Sequence, residues 1–446
     1  MRDPQKLNKN LRRVFMSVQG ILIILVFVFF AYLMVTQKMP ALLALPSMAI
    51  VIAIIAGMPL NYIFSNIIGA GAVRLQGAMA AAIFGAILAQ IINKTGISDN
   101  IVRTAAELGG DRPIAVALAI TFAVALIFTS LGGLGSVIMV GTIVLPILMS
   151  VGIEPVIAAS LLLMGLNLGG LFNVMNYAFY QSALNLDMAT IKSFALAFGI
   201  IAAVVLLLFI FINVPKKKTV AAWAMSTETQ EEKPRVSWYA LLTPIIPVLL
   251  LFIWPLIFKD AEGKPIQIDI ISAMLIGILY GILTTKPREI KNLLTSSIIE
   301  GIKDVAPALG LMIGIGMLLL AVMDKTTAAL ISPIISKILP TSKIGYVLFF
   351  IILSPLALYR GPLNLWGLGS GVAALMISAG TLPPQAIMGA LIATGNIQGV
   401  CDPTNTHNVW TAYFTNTDTT TILKKTLPYM LIVVLLDIIY VALFKW

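Results

Sequence analysis

The sequence predicts an all-α polytopic membrane protein, built as two inverted repeats of about five transmembrane helices, each with a re-entrant hairpin and a broken helix. Three observations predict it. The 446 residues are 59% hydrophobic and only 11% charged, with a mean hydropathy of +1.00; that balance suits lipid, not a soluble domain. Gly133, Gly141, Gly152 and Pro155 stand 8, 11 and 3 residues apart, and Gly361, Gly369, Gly380 and Pro383 keep the same spacing. Finally, polar, glycine-rich segments interrupt the apolar runs of both halves.

The first repeat covers 1–214. Residues 1–13 have the basic character of a signal n-region, but no small-residue cleavage site follows, so the first apolar run reads as a retained helix. Spans are expected at about 18–37, 41–58 and 76–94, with an interfacial segment carrying Asn61, Asn66 and Arg74 before the third. Residues 97–108, with Asp99, Arg103 and Glu107, read as an amphipathic helix along the membrane surface. The stretch at about 112–152 is apolar at both ends and polar at its Thr129–Ser136 centre, the pattern of a re-entrant hairpin. A broken helix at about 155–189 and a span at about 190–213 close the half.

A polar linker, 215–237, carries charges of both signs and no expected chemistry. The second repeat, 238–446, follows the same order. Spans are expected at about 238–258, 267–285 and 308–323, then an amphipathic piece at 326–339. A hairpin at about 343–380 follows, with its tip at 359–364. A broken helix at about 383–421 and a span at about 427–445 complete it. Gly165 and Gly169 match Gly395 and Gly399, and Asn93-Lys94-Thr95 matches Asp324-Lys325-Thr326. If each hairpin re-enters, each half crosses an odd number of times and the halves are inverted; if each hairpin arm crosses, the halves run parallel. The polar tips favour inversion. Basic residues before the first span and in the linker nearly balance, which leaves orientation open.

The chemistry concentrates in the second broken stretch, which holds Asn396, Gln398, Asp402, Thr404, Asn405, Thr406, His407 and Asn408. In hydrocarbon each unpaired polar group costs several kcal/mol, so such a run must face protein or a water-filled cavity. Asn, Ser and Thr also serve as packing glue between helices, but glue is usually scattered. Asp402, with Thr404 and Asn405, offers the oxygen donors that a hard cation such as Na⁺ takes; it could equally carry a proton or cap a half-helix. Asn173 stands at the matching place in the first half, so the halves differ chemically. Arg360, at a hairpin tip beside Asn364, suits a substrate carboxylate or a structural pair with Asp402. His407 reads as a hydrogen-bonding packing residue or a proton relay. One cysteine, Cys401, and one histidine exclude intrachain disulfides and Cys- or His-cluster metal sites. No pair of intramembrane acids suggests an aspartyl protease, and a serine hydrolase would leave the twofold pattern unexplained. No enzyme activity and no cofactor beyond a coupling ion are expected.

This order of spans, surface helix, hairpin and broken helix, given twice, resembles the ion transporter superfamily, which includes gluconate permeases, citrate symporters, C4-dicarboxylate carriers and divalent-anion/sodium symporters. The divalent-anion symporters carry Ser-Asn-Thr at each tip. Here the tips read Thr129-Ser130-Leu131 and Gly361-Pro362-Leu363-Asn364, closer to gluconate- or citrate-type carriers. The resemblance implies an elevator-type scaffold with a transport domain, a homodimer, and a multi-pass place in the bacterial inner membrane. It implies Na⁺- or H⁺-driven symport of a small organic anion. By position it puts substrate at Thr129, Ser130, Asn167, Asn173, Asn176, Arg360, Asn364, Asn405, Thr406 and His407, and the coupling ion at Ser136, Asn173, Asp402, Thr404 and Asn405. The alternative within the superfamily is a cation/proton antiporter. The expected partners are the anion, lipid and a second copy, with no nucleic acid.

Overall fold

The computed structural model describes residues 4–216 and 235–446. Most of the expected linker, 217–234, lies outside the described residues. The first half contains α1 (Pro4–Val35), α2 (Ala41–Ile55), α3 (Leu60–Lys94), α4 (Ile97–Gly109), α5 (Pro113–Phe128), α6 (Gly133–Ser150), α7 (Pro155–Leu171), α8 (Val174–Leu184) and α9 (Met188–Asn213). The second half contains α10 (Trp238–Ile257), α11 (Ile270–Thr285), α12 (Pro287–Met323), α13 (Lys325–Ile335), α14 (Lys343–Ala357), α15 (Leu368–Ala379), α16 (Pro384–Cys401), α17 (Thr406–Phe414) and α18 (Thr419–Phe444). Long, short, hairpin-arm and broken helices thus come in one order in both halves.

Residue chemistry sets the boundaries. Pro113 and Pro155 stand at helix starts, where a missing N–H costs nothing. Asp187 caps α9 and Asp418 caps α18, each accepting the N–H of a threonine, Thr190 at 2.8 Å and Thr420 at 3.0 Å. The Thr190 N–H, and then its hydroxyl, hold the Asp187 carboxyl below its ordinary range. Gly152 and Gly380 turn the chain after α6 and α15 with φ of 88° and 68°, values that other residues rarely adopt.

Two expected spans are longer in the structure. The segment expected before the third span is helical and continuous with it: residues 60–94 form one 35-residue run, with a π-helical stretch at Ile63–Ala70. Its counterpart α12 is 37 residues long and begins at Pro287, not near 308. Two acidic residues on this added stretch are paired with α3: Glu300 meets Lys94 at 2.8 Å, and Asp304 accepts from Gln90 at 2.6 Å. The last helix likewise starts at Thr419, not 427.

α3 and α12 run antiparallel along each other. Gly71 lies against Met317 near one end, and Gly301 against the Ala86–Ile87 backbone nearer the other; a Cβ on either would stand 2.7–2.9 Å from backbone atoms. Small residues let membrane helices approach this closely, which matters because lipid supplies no hydrophobic drive for association. Each half's second helix packs on the other half's long helix, α2 on α12 and α11 on α3. A second group forms around α7, α9, α16 and α18.

Seven helices among the described residues are long and apolar enough to cross a membrane, or eight if α7 and α8, bent by 54°, form one span. The five-per-half expectation also counts shorter apolar helices such as α2 and α11, and α6 alone is long enough to cross at 18 residues. The chain is an integral, multi-pass membrane protein.

Candidate functional site

Four interruptions meet at one place. The break between α5 and α6, the loop before α15, and the breaks of α7–α8 and α16–α17 all line a cavity of about 530 Å³. That size falls within the roughly 300–1,000 Å³ usual for small-molecule sites. Asn167, Asn173, Asn176 and Tyr180 supply the polar wall from the first half. Asn364, Asn396, Gln398, Asn405, Thr406 and His407 supply it from the second. Among the described residues no Asp, Glu, Lys or Arg lines the cavity.

The breaks are held open by side chains. In the first half Asn173 does two jobs. Its Nδ2 donates to the carbonyls of Phe128 (3.0 Å) and Leu131 (2.9 Å), tying the broken helix to the hairpin. Its Oδ1 accepts the Met175 N–H at 2.9 Å, capping α8. In the second half these jobs fall to two residues. Asp402, fully buried, accepts the Arg360 N–H with Oδ2 at 3.1 Å, tying this break to the other hairpin. Asn405 caps α17 through the His407 N–H at 3.4 Å.

Electrostatics follow from which helix ends are left free. A helix C-terminus presents orphan carbonyls and an N-terminus orphan N–H groups. Around the cavity the carbonyls are consumed by amides: Phe128 and Leu131 by Asn173, Gly170 by Asn176 at 2.8 Å, and Val400 by Asn408 at 3.0 Å. The start of α6 at Gly133, on the cavity wall, has no side-chain cap. The start of α6 thus brings a positive dipole end to a cavity that, among the described residues, no Asp, Glu, Lys or Arg lines.

Of the expected substrate residues, Asn167, Asn173, Asn176, Asn364, Asn405, Thr406 and His407 come together on this wall. Others lie elsewhere. The Thr129 and Ser130 hydroxyls both donate to the Pro244 carbonyl of α10, Thr129 at 2.9 Å. Arg360 is exposed, with its guanidinium 3.5 Å from the Thr404 carbonyl, and is not a cavity residue. Two successive left-handed residues, Tyr359 and Arg360, both with φ of 56°, turn the tip; the Arg360 N–H goes to Asp402 while its exposed side chain is not part of the cavity lining. The expected Arg360–Asp402 pairing is thus made by the backbone, not the guanidinium.

The expected cation residues form a closed loop motif. Thr404 donates its N–H (2.8 Å) and hydroxyl (2.7 Å) to Oδ1 of Asp402, so both carboxylate oxygens are engaged. Ser136 is buried on the first turn of α6, off the cavity wall. Among the described residues no group of three His, Cys, Asp or Glu could hold a metal.

Sequence reasoning left Asn396, Gln398, Tyr180 and Trp366 out of the site. Asn396 and Gln398 carried a usable signal, since they belong to the same polar run as Asp402. Trp366 carried none: it lies at the cavity and stacks on Phe179 of α8 at 4.2 Å, a contact between halves.

No protein-family model and no curated protein matches this sequence. Solved structures do. The fold is similar to that of the Alcanivorax borkumensis YdaH transporter, whose crystal structure is reported to have an unusual topology. The TM-score is 0.61 at 15% identity, over 86% of this chain and 88% of that one. It is also similar to Neisseria gonorrhoeae MtrF, presented as illuminating a class of antimetabolite efflux pumps. There the TM-score is 0.54 at 12% identity, over 86% of this chain and 83% of that one. At these identities the likeness is one of fold alone.

Proposed function

We propose that the chain is a secondary active transporter that binds a small organic anion, such as a carboxylate, in the central cavity and moves it by symport with Na⁺ or H⁺. One observation carries this reading. Four broken elements converge on a single cavity where asparagine amides tie up backbone carbonyls and the start of α6 has no side-chain cap. Discontinuous helices around a central polar site are how secondary transporters hold substrate without exposing backbone to lipid. The amide-lined wall recognises an anion by hydrogen bonds, with no fixed cation to hold it too tightly for release.

The repeats are inverted in this reading. The antiparallel packing of α3 on α12, helices that hold the same place in each half, supports inversion over parallel repeats. The group built on α3 and α12 serves as scaffold, the hairpins and broken helices move as an elevator, and the scaffold faces a second copy in a homodimer. A second reading, cation/proton antiport, draws on two fully buried carboxyls, Asp402 and Asp437.

Uptake into proteoliposomes decides between them. Labelled gluconate, lactate, citrate, succinate and glutamate are offered under an imposed Na⁺ gradient, then an H⁺ gradient. Saturable uptake of one acid, abolished by the matching ionophore, is the expected result. No uptake of any acid, with Na⁺-dependent proton movement instead, would replace symport by antiport.

A further inference from the structure

Behind the cavity wall stands a carboxyl that the site described so far does not use. Asp437, about two turns from the C-terminal end of α18, is 0% exposed. Its Oδ2 accepts from Nδ2 of Asn396 at 2.9 Å, and its Oδ1 has no partner. Asn396 in turn accepts, through Oδ1, from Nδ2 of Asn167 at 2.7 Å. Both asparagines line the cavity. The chain Asn167–Asn396–Asp437 therefore runs from the cavity wall into the interior and joins α7, α16 and α18.

Among the described residues nothing else charged answers Asp437. On its own helix the basic residues Lys424, Lys425 and Lys445 lie near the two ends. Among the helices that pack on α18, α16 carries Cys401, bonded to Thr426 at 3.1 Å, and α14 carries Tyr346, bonded to the Ala386 carbonyl at 2.7 Å, and Lys343 at its start. α9 carries Lys192, bonded to the Leu251 carbonyl, and α17 carries His407 on the cavity wall and exposed Tyr413. α7 carries no titratable side chain, and Glu154 stands just before it. A carboxylate in such a place is costly, and one hydrogen bond offsets only part of that cost; a neutral acid is not so penalised.

We propose that Asp437 is the proton-binding site of the transporter, and that the Asn396–Asn167 pair reports its proton state to the cavity by reversing the direction of two hydrogen bonds. With Asp437 ionised, donors point inward: Asn167 to Asn396, and Asn396 to the carboxylate. A proton passes from hydronium to Oδ2, the oxygen that faces Asn396, leaving water and a neutral acid whose O–H is now a donor toward that amide. That O–H needs an acceptor, and among the described residues its hydrogen-bond partner is the Asn396 amide. Rotation of this amide by half a turn presents its Oδ1 to Asp437 and its Nδ2 to Asn167. Asn167 rotates in the same way, accepts from Asn396, and turns its own NH₂ into the cavity. Protonation thus gives the wall one more donor and removes one negative charge from behind it, and both changes favour an anion. Release of the proton to water on the other side restores the inward direction and weakens anion binding. Free energy couples reciprocally, so a bound anion must raise proton affinity at Asp437.

This inference rests on the symport reading and names its coupling ion; the two fail in different ways. In proteoliposomes, wild-type protein that takes up none of gluconate, citrate or succinate removes the symport reading itself. Wild-type uptake driven by Na⁺ and indifferent to a protonophore leaves symport standing and overturns Asp437. If uptake follows the pH gradient, Asp437→Asn is expected to lose gradient-driven accumulation, retain exchange of labelled for unlabelled acid, and lose the pH dependence of that exchange. Asp437→Glu, which keeps a carboxyl, is expected to restore accumulation. Full accumulation by Asp437→Asn overturns the proposal. Should the variants not fold, the wild type decides in detergent with a pH dye. Adding succinate, citrate or gluconate, whichever is transported, should draw protons from solution, and no proton uptake on binding would overturn it.

Discussion

The two broken helices solve one problem with different residues. In the first half a two-residue break, Phe172 and Asn173, separates α7 from α8, and one amide both ties the break to the hairpin and caps the next helix. In the second half the break runs from Asp402 to Asn405, and the same duties are divided between its first and last residues. The polarity is also reversed. Asn173 donates to hairpin carbonyls, whereas Asp402 accepts from a hairpin N–H. What a break needs is therefore a set of paired backbone groups, and the residue follows from whether the neighbouring hairpin turns a C=O or an N–H toward it.

The sharpest way to test this contrast is to exchange the residues. Asn173→Asp sets a buried carboxylate against two carbonyl oxygens and is expected to cost roughly 3–5 kcal/mol, as an uncompensated buried charge does. The measurement is thermal unfolding in detergent together with uptake, and both should fall steeply. Asp402→Asn keeps one acceptor oxygen and should lose only about 1–2 kcal/mol. Equal effects of the two exchanges would mean that the polarity of the joint does not matter. Asp402→Ala leaves the N–H groups of Arg360 and Thr404 unpaired, at roughly 1–3 kcal/mol each, and should fall between the exchanges or match the first.

Smaller effects sharpen the division of labour. Asn405→Ala removes only a long 3.4 Å cap and should lower stability by about 0.5 kcal/mol, the low end for caps. If its loss equals that of Asn173→Ala, the two duties are not divided. The smallest effect is expected at Arg360→Ala. This exposed side chain lies off the cavity, so anion affinity should change by less than about two-fold, in line with surface substitutions. A large loss of affinity in equilibrium binding would return the guanidinium to the site.

These joints also show what the sequence could and could not reveal. That the helices break at Asn173 and at Asp402–Asn405 was legible, because glycines and clustered polar side chains have few other uses between apolar runs. Which atoms each residue would meet was not, since the partner hairpins lie 42 to 45 residues away. Arg360 misled for the same reason: a lone cation at a tip suggests a charge partner, and only the backbone geometry shows its N–H doing the pairing. The full length of α12 is hard to read in the sequence because Glu300 and Asp304 interrupt its apolar run. Their partners on α3, Lys94 and Gln90, are more than 200 residues away in sequence. Asp437 had no visible role in the sequence because its single partner, Asn396, sits 41 residues upstream on another helix.

The central claim is that an organic anion passes through the amide-lined cavity, and the lone cysteine makes it directly testable. Cys401→Ser gives a background without thiols, and Ala308→Cys then puts one on the cavity wall. The measurement is uptake of the labelled acid panel into proteoliposomes before and after complete reaction with a small thiol reagent, with modification verified by mass. The account predicts uptake of one acid by both proteins, and its loss on reaction only where residue 308 is cysteine. Undiminished uptake through a fully modified cavity would contradict it.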